Sequence, residues 1–421
     1  MAAPLRILIT NNTLAKPAGT ELSVLDYATS LQKRGHQVAA YSAHLGEIAQ
    51  RLREGGVLVV DDLEALPLRP QVIHGHHEWE TTIAALHFGD VPVISFCRGP
   101  YYWAEAPCLA PNVVLWAAVD EACRDRLVNK HGVPESKVEL VLNGIDLERF
   151  KPRTTPLTQV RRVLVFSNYA SEQNYVPAVR AACEKIGAEL TVIGSAVGNI
   201  HPRPQEILGD YDVVLAKGKA ALEALAVGCA VIVCDAAGLG PLVTTENFEP
   251  LRRLSFGNPC MTAPIDAEGV TERLSQIQPE ENARTTALVR DTCGLDRTID
   301  RLEEIYALAL IMRPDVDVAK NAVFASRFLA RKTQAYKLGR KTQEFWHDQR
   351  EPDAPDEMDA LKADRVLDAF FNSEIKYAAL NARIEKCKGE AEQAKARLKL
   401  FMEKGRRGIA YKLGRLLRGG E

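Results

Sequence analysis

Residues 212–240, DVVLAKGKAALEALAVGCAVIVCDAAGLG, decide the fold. The apolar run 212–216 predicts a buried strand, Lys217-Gly218-Lys219 a turn, and 220–227 a helix that stops at Gly228. A second apolar run, 229–234, predicts another buried strand, and the small residues of 235–240 predict a loop. In a parallel sheet such a unit puts the turn and the helix N-terminus at the carboxyl edge. Free N–H groups and the helix dipole favour an anion there. Two lysines flanking a glycine at that point suggest phosphate.

Working outward, 163–166 and 190–193 are strands around a helix at 175–186, and 266–312 alternates helical segments. The last of these, 297–312, carries Leu302, Ile305, Tyr306 and Ala309 on one face. The N-terminal half has the same period. Strand 5–10, loop 11–19, helix 21–34 and strand 37–41 form a βαβ unit, with Leu22, Leu25, Ala28 and Leu31 as the helix's apolar stripe. Strands follow at 57–60, 72–74, 91–96, 113–117 and 137–142, with a helix over 120–130 and a turn at Asn143-Gly144. The Pro- and Thr-containing stretch 151–159 is a linker. The expected fold is therefore α/β, with two Rossmann-like doubly wound parallel-sheet domains, 1–155 and 156–312, and a C-terminal α-helical extension, 313–421. A ligand belongs in the cleft between the two carboxyl edges.

The totals agree. The chain has 421 residues, enough for two cores, and a net charge of -2, which gives no sign of a nucleic-acid binder. Nine scattered cysteines without a C-x-x-C pair argue against a disulfide framework or structural zinc and for a reducing compartment. The N-terminus reads as a first strand and not as a signal peptide, and no apolar run reaches 18 residues. A cytoplasmic protein is expected, peripheral on the inner face of the cell membrane if its tail binds lipid.

Several motifs carry a resemblance. They are Lys33-Arg34-Gly35-His36-Gln37-Val38, Val72-Ile73-His74-Gly75-His76-His77, Val119-Asp120-Glu121, Asn143-Gly144-Ile145-Asp146 with Phe150 and Pro152, and Leu222-Glu223-Ala224-Leu225-Ala226 with Gly228. In this order and spacing they resemble the GT-B glycosyltransferases of the family 4 type (glycosyl transferases group 1) over roughly 5–312. The resemblance implies that the first domain takes an acceptor, that the second takes a nucleotide-sugar donor, and that Glu223 accepts hydrogen bonds from the ribose hydroxyls. A carboxylate one turn into a helix beside a phosphate site gains from the dipole. The alternative is a plain early-helix glutamate.

The departures are specific. Family members usually carry a glutamate eight positions before the one matching Glu223, where this chain has Leu215, and the donor loop is shortened. The family's Arg and Lys on the loop after strand 163–166 are missing from Ser167-Asn168-Tyr169-Ala170-Ser171-Glu172-Gln173-Asn174. A diphosphate still needs cations on desolvated ground. Lys217 and Lys219, around Gly218, are expected to replace the pair, the alternative being solvated turn lysines. Gly238, Leu239 and Gly240 would touch sugar or phosphate through N–H groups, Ser167 and Asn168 would line the donor site, and Gly19-Thr20 would reach the phosphate or acceptor. Arg98 stands where the family commonly has a histidine; it cannot be a base at neutral pH but can hold an oxyanion. His74, His76, His77 and Glu78 alternate across a strand, which opposes a metal site. A histidine lining the acceptor cleft is expected instead, and Arg98 and His76 are the catalytic candidates. No metal or other cofactor is expected beyond the nucleotide diphosphate sugar as co-substrate.

Beyond Met312 the composition changes. Tyr377, Leu380, Ile384, Cys387, Ala391, Ala394, Leu398 and Phe401 form a heptad seam, so self-association through 377–401 and packing back on the body are both open. Ala335-Tyr336-Lys337-Leu338-Gly339-Arg340 recurs unchanged as Ala410-Tyr411-Lys412-Leu413-Gly414-Arg415. Residues 395–418 hold nine lysines and arginines against Glu403, interleaved with Leu398, Phe401, Ile409, Leu413 and Leu416. That pattern suits an anionic membrane surface, with a solvated face or a protein-docking tail as the alternative. The function expected is transfer of a sugar, with retention, to a glycan or lipid-linked acceptor in cell-surface polysaccharide or envelope biosynthesis. Its rivals are a sugar-nucleotide epimerase, which would draw on Glu21, Glu78 and Glu105, and a non-catalytic nucleotide-sugar-binding or assembly subunit.

Overall fold

The computed structural model describes residues 4–100, 103–201, 203–314 and 317–348. Contacts divide the chain into two compact units, Met1–Asn321 and Ala322–Glu421, and the first holds two α/β domains. One domain is built on β1 (Arg6–Thr10), β2 (Gln37–Tyr41), β3 (Leu58–Val60), β4 (Val72–His76), β5 (Val93–Cys97), β6 (Val113–Ala118) and β7 (Val138–Leu140). Their order is β3-β2-β1-β4-β5-β6-β7, and every pairing is parallel. β4, β5 and β6 are buried along their whole length, as strands covered on both faces must be. The order reverses between β1 and β4, so their carboxyl ends open a crevice.

The second domain contains β8 (Arg162–Phe166), β9 (Glu189–Ile193), β10 (Val213–Ala216), β11 (Ala230–Asp235) and β12 (Gly238–Leu242), in the order β12-β11-β10-β8-β9. Here the reversal falls between β8 and β10. The doubly wound architecture expected from the sequence is present in both domains. One element differs: 235–240, expected as a loop, closes a tight hairpin, and β12 runs antiparallel to β11. Gly238, Leu239 and Gly240 are buried in it, and the Leu239 N–H donates to Ala263 O at 2.8 Å. Small residues that read as a loop here let two backbones approach.

The cores also place the domain crossings differently from 155 and 312. Ile145 and Phe150 pack in the second domain's core, whereas Ile299, Leu302, Ile305, Tyr306 and Ala309 pack in the first domain's. The helix Leu295–Met312 therefore returns to the first sheet. The physical reason is its apolar face and a set of polar clamps. Arg34 donates to Asp300 Oδ1 and Glu303 Oε2 at 2.6 Å each, His36 Nε2 lies 2.8 Å from Glu303 Oε1, and the Tyr306 hydroxyl lies 2.6 Å from His74 Nδ1. The two crossings meet: the Ile145 N–H donates to Cys293 O at 2.9 Å, and the Leu295 N–H to Ile145 O at 2.7 Å. Gly144 allows that approach, since a Cβ there would sit 2.9 Å from Leu295 Cα.

The eight cysteines of the described residues are buried free thiols. Among the described residues no helix is long and apolar enough to cross a membrane. The first copy of the hexapeptide repeat, 335–340, falls within the helix Val318–Asp348. The heptad seam 377–401, the basic stretch 395–418 and the second copy, 410–415, lie outside the described residues.

Candidate functional site

At the second sheet's reversal, β8 ends at Phe166, just before Ser167, and β10 ends at Ala216, with Lys217 as the one residue before the helix Gly218–Val227. Gly218 has φ 62°, a left-handed value that other side chains resist, so the glycine lets the strand turn into the helix without a longer loop. The helix has no side-chain cap at its N-terminus, which leaves donors and a positive dipole end toward the cleft. Lys217, however, is not a free cation. Its ammonium pairs with Asp235 at the end of β11, lies 3.4 Å from Asn258 Oδ1 and stands 5.0 Å above the exposed Tyr169 ring. The Ser167 hydroxyl donates to the other Asp235 oxygen at 2.6 Å. Asn168 supports the neighbouring loop, with its Oδ1 accepting from the Ser195 N–H at 3.2 Å. Leu215 is fully buried within the second domain's core, so the place of the missing glutamate is closed by packing.

Lys219 is also paired, and its partner is in the first domain. Its ammonium lies 2.6 Å from Asp26 Oδ2, and Arg149 grips the same carboxylate at 3.0 and 3.2 Å. Asp26 is 5% exposed. Burial pushes its pKa up, but the two cations outweigh burial and hold it below the usual value. One turn further into the helix, Glu223 is 8% exposed and makes no hydrogen bond among the described residues. Burial raises its pKa to about 7, against the charges of Lys219 and Arg149 and with that of Asp26. It is a carboxylate prepared to accept hydrogen bonds and lacking them.

On the first domain, the helix Gly19–Lys33 also begins without a side-chain cap, and Thr20 Oγ1 donates to Glu21 Oε2 at 3.0 Å. Gly19 and Thr20 thus sit at a bare N-terminus beside the end of β1. Arg98, after β5, donates to the Tyr27 hydroxyl at 3.2 Å, Ser23 Oγ at 2.9 Å and Asn143 Oδ1 at 2.7 Å. All three are uncharged oxygens. Burial works against its charge, but Tyr27 and Glu105 outweigh it and raise the pKa further. Asn143 in turn donates to Ser255 Oγ at 3.2 Å, carrying the network into the second domain. Glu105 accepts from the Arg98 N–H at 3.0 Å and lies 3.4 Å from His77 Nε2.

The histidines point inward. His74 stacks on Phe96 with 3.7 Å between ring centroids, and its Nε2 lies 2.9 Å from His76 Nε2. His76 has no exposed surface, and its Nδ1 has no partner. Burial, with the Arg98 charge, holds both pKa values well below the ordinary one and that of His77 at about 4, so all three rings are neutral. No substrate reaches His76 in this conformation, and His74 serves as an anchor for Tyr306. Among the described residues no group of three or more His, Cys, Asp and Glu could hold a metal ion. The structure thus gathers Lys217, Gly218, Lys219 and Glu223 on one side, and Arg98, Gly19 and Thr20 on the other. It adds Asp26, Arg149, Asn143, Asp235, Ser23 and Tyr27, which sequence reasoning missed. Two left a signal: Asn143 as part of the motif Asn143-Gly144-Ile145-Asp146, and Asp26 as a charge four residues after Leu22 on an apolar stripe.

Residues 17–149 match the model of Glycosyltransferase Family 4. The fold is GT-B, and the stretch that the family model matches lies almost wholly in its first domain. Two solved structures share this GT-B fold: a glycosyltransferase from Rickettsia africae, 13% identical, covering 73% of this chain and 99% of that one with a TM-score of 0.54; and Anabaena HepE in complex with UDP and glucose, 13% identical, covering 72% and 99% with a TM-score of 0.51. A UDP-GlcNAc 2-epimerase from Neisseria meningitidis is 15% identical over 72% of this chain and 99% of that one, with a TM-score of 0.44. No curated protein matches the chain.

Proposed function

We propose that this GT-B protein transfers a sugar, with retention, from a nucleotide diphosphate sugar to a glycan or lipid-linked acceptor in cell-surface polysaccharide or envelope biosynthesis. The observation that carries the proposal is Glu223: a buried carboxylate without a hydrogen bond, one turn into an uncapped helix at a sheet reversal. Two neighbouring ribose hydroxyls supply the donors it lacks. The diphosphate lies at the helix N-terminus near Lys217, Gly218 and Lys219, and the acceptor on the first domain near Gly19 and Thr20. Arg98 borders the cleft and is positioned to stabilise negative charge on the leaving group or acceptor. His76 is given no step.

HepE is described in complex with UDP, so UDP is the first nucleotide to test. Calorimetry with UDP, ADP and GDP should find at least one that binds, and Glu223→Gln should weaken it about 10- to 100-fold, the loss of hydrogen bonds to a charged acceptor. Equal affinity of wild type and Glu223→Gln would overturn the assignment. Epimerisation is the second reading, favoured by Glu21 and Glu105. Both are buried with raised pKa values, burial being the main cause, and the charge of Glu21 adds to the shift of Glu105. Incubation with donor separates the cases: free sugar supports a transferase, epimerised nucleotide-sugar an epimerase, and binding without turnover an assembly subunit.

A further inference from the structure

Asp26 holds more cation than one carboxylate needs. It is buried, it lies on the first domain, and it receives two bonds from Arg149 and one from Lys219. Lys219 belongs to the second domain, where it is the second residue of the helix whose bare N-terminus faces the cleft. Its ammonium reaches across to the other domain. A buried carboxylate that loses its sole partner is strongly destabilised. Asp26 escapes this penalty, because Arg149 keeps both oxygens bonded when Lys219 leaves. Lys217 has no such freedom, since Asp235 would be left with the Ser167 hydroxyl alone. Of the two lysines at the turn, only Lys219 can be surrendered without stranding its partner.

We infer that Asp26 keeps Lys219 in reserve, and that an entering nucleoside diphosphate exchanges with the Asp26 carboxylate at the Lys219 ammonium while Arg149 retains Asp26. The exchange rests on the donor-site assignment proposed above. It makes Asp26 and Arg149 positioning residues for donor binding, and it links occupation of the donor site to a contact between the domains. Arg149 follows the first crossing and neighbours Phe150 in the second domain's core, so its bonds to Asp26 also run between the domains, and ligand binding removes one of two ties at this point. The Lys219 tie lowers apparent donor affinity, because only the fraction without it has a free ammonium to offer.

The test uses the full chain with UDP, or whichever of UDP, ADP and GDP wild type binds. Asp26→Asn should tighten the nucleotide about five- to tenfold, as removal of a competing state does. Lys219→Met should weaken it, and Asp26→Asn with Lys219→Met should match Lys219→Met alone, because the gain acts through the ammonium. Unchanged or weaker binding by a folded Asp26→Asn protein overturns the exchange, as does a gain that persists in the double variant. A wild-type crystal with nucleotide needs no variant: Lys219 Nζ on a phosphate oxygen and Asp26 on Arg149 alone is expected, and Lys219 still on Asp26 beside a bound diphosphate overturns it. Binding by wild type that Glu223→Gln weakens, with no effect through Asp26, removes the exchange and leaves the donor site standing. If none of the three nucleotides binds, both fail.

Discussion

The two carboxyl edges that face each other across the cleft treat their cations in opposite ways. On the second domain, Lys217 and Lys219 each meet a buried carboxylate, Asp235 and Asp26. On the first domain, the Arg98 guanidinium bonds the uncharged oxygens of Tyr27, Ser23 and Asn143, and the carboxylate that acts on its charge, Glu105, bonds its backbone N–H instead. An ion pair spends a cation's field on its partner, whereas neutral oxygens fix a guanidinium in place and leave its charge to act on whatever comes near. The edge that looked richer in charge from the sequence thus has less to offer an incoming anion, and the edge with a single arginine has more.

If that contrast is functional, the largest effect should come from Arg98. Arg98→Met should lower kcat about 100- to 1,000-fold with little change in melting temperature, the scale seen when one donor to a developing oxyanion is removed. Arg98→Lys should not restore it, since an ammonium cannot span three oxygens in a plane. Steady-state assays on both variants break the comparison if Arg98→Met keeps its rate.

A smaller effect is expected at the paired edge, and there it should fall on stability. Asp235→Ala leaves Lys217 and Ser167 without their shared acceptor and should cost about 1–3 kcal/mol in denaturant unfolding, below the full value for a buried pair because Lys217 reaches solvent. An unfolding midpoint equal to wild type would mean that water replaces the carboxylate and that the pairing is incidental.

The smallest effect separates charge from neutrality at Glu223. Its raised pKa means that the folded state binds the proton more tightly than the unfolded chain. The resulting stability is full below the ordinary carboxylate range and is lost as pH rises through about 7. Nucleotide affinity should run the other way. The ionised form accepts ribose hydroxyls, so affinity should rise about tenfold from pH 6 to 8, following titration of a group near 7. Glu223→Gln should be flat over that range by calorimetry, and a sloping profile in the variant would assign the titration to another group.

The sequence made most of the sheets legible, because strands covered on both faces leave uninterrupted apolar runs such as those at 93–97 and 230–234. β12 was not legible, since glycines and alanines write a loop and a close backbone pair in the same letters. The return of the helix Leu295–Met312 was half written: its apolar face is plain, but nothing local says which sheet it meets. Glu223 was singled out through its place on a helix and a motif match. The partners of Lys219 and Arg98 were not, since Asp26 is 193 residues from Lys219 and Asn143 is 45 from Arg98. Pairings over such distances follow from topology, and residue type alone does not specify them.

The meeting of the two crossings at Ile145 and Gly294 has a mechanical consequence. The backbone passes between the domains once in each direction, and the passages are zipped together by two hydrogen bonds. Two tethers side by side act as one pivot: the domains can swing about that line, but they cannot slide past each other or drift apart. A cut in either passage would not free them, because the other still holds. Every ion pair across the cleft therefore lies on the arc of one hinge, where a small swing moves the far rim most.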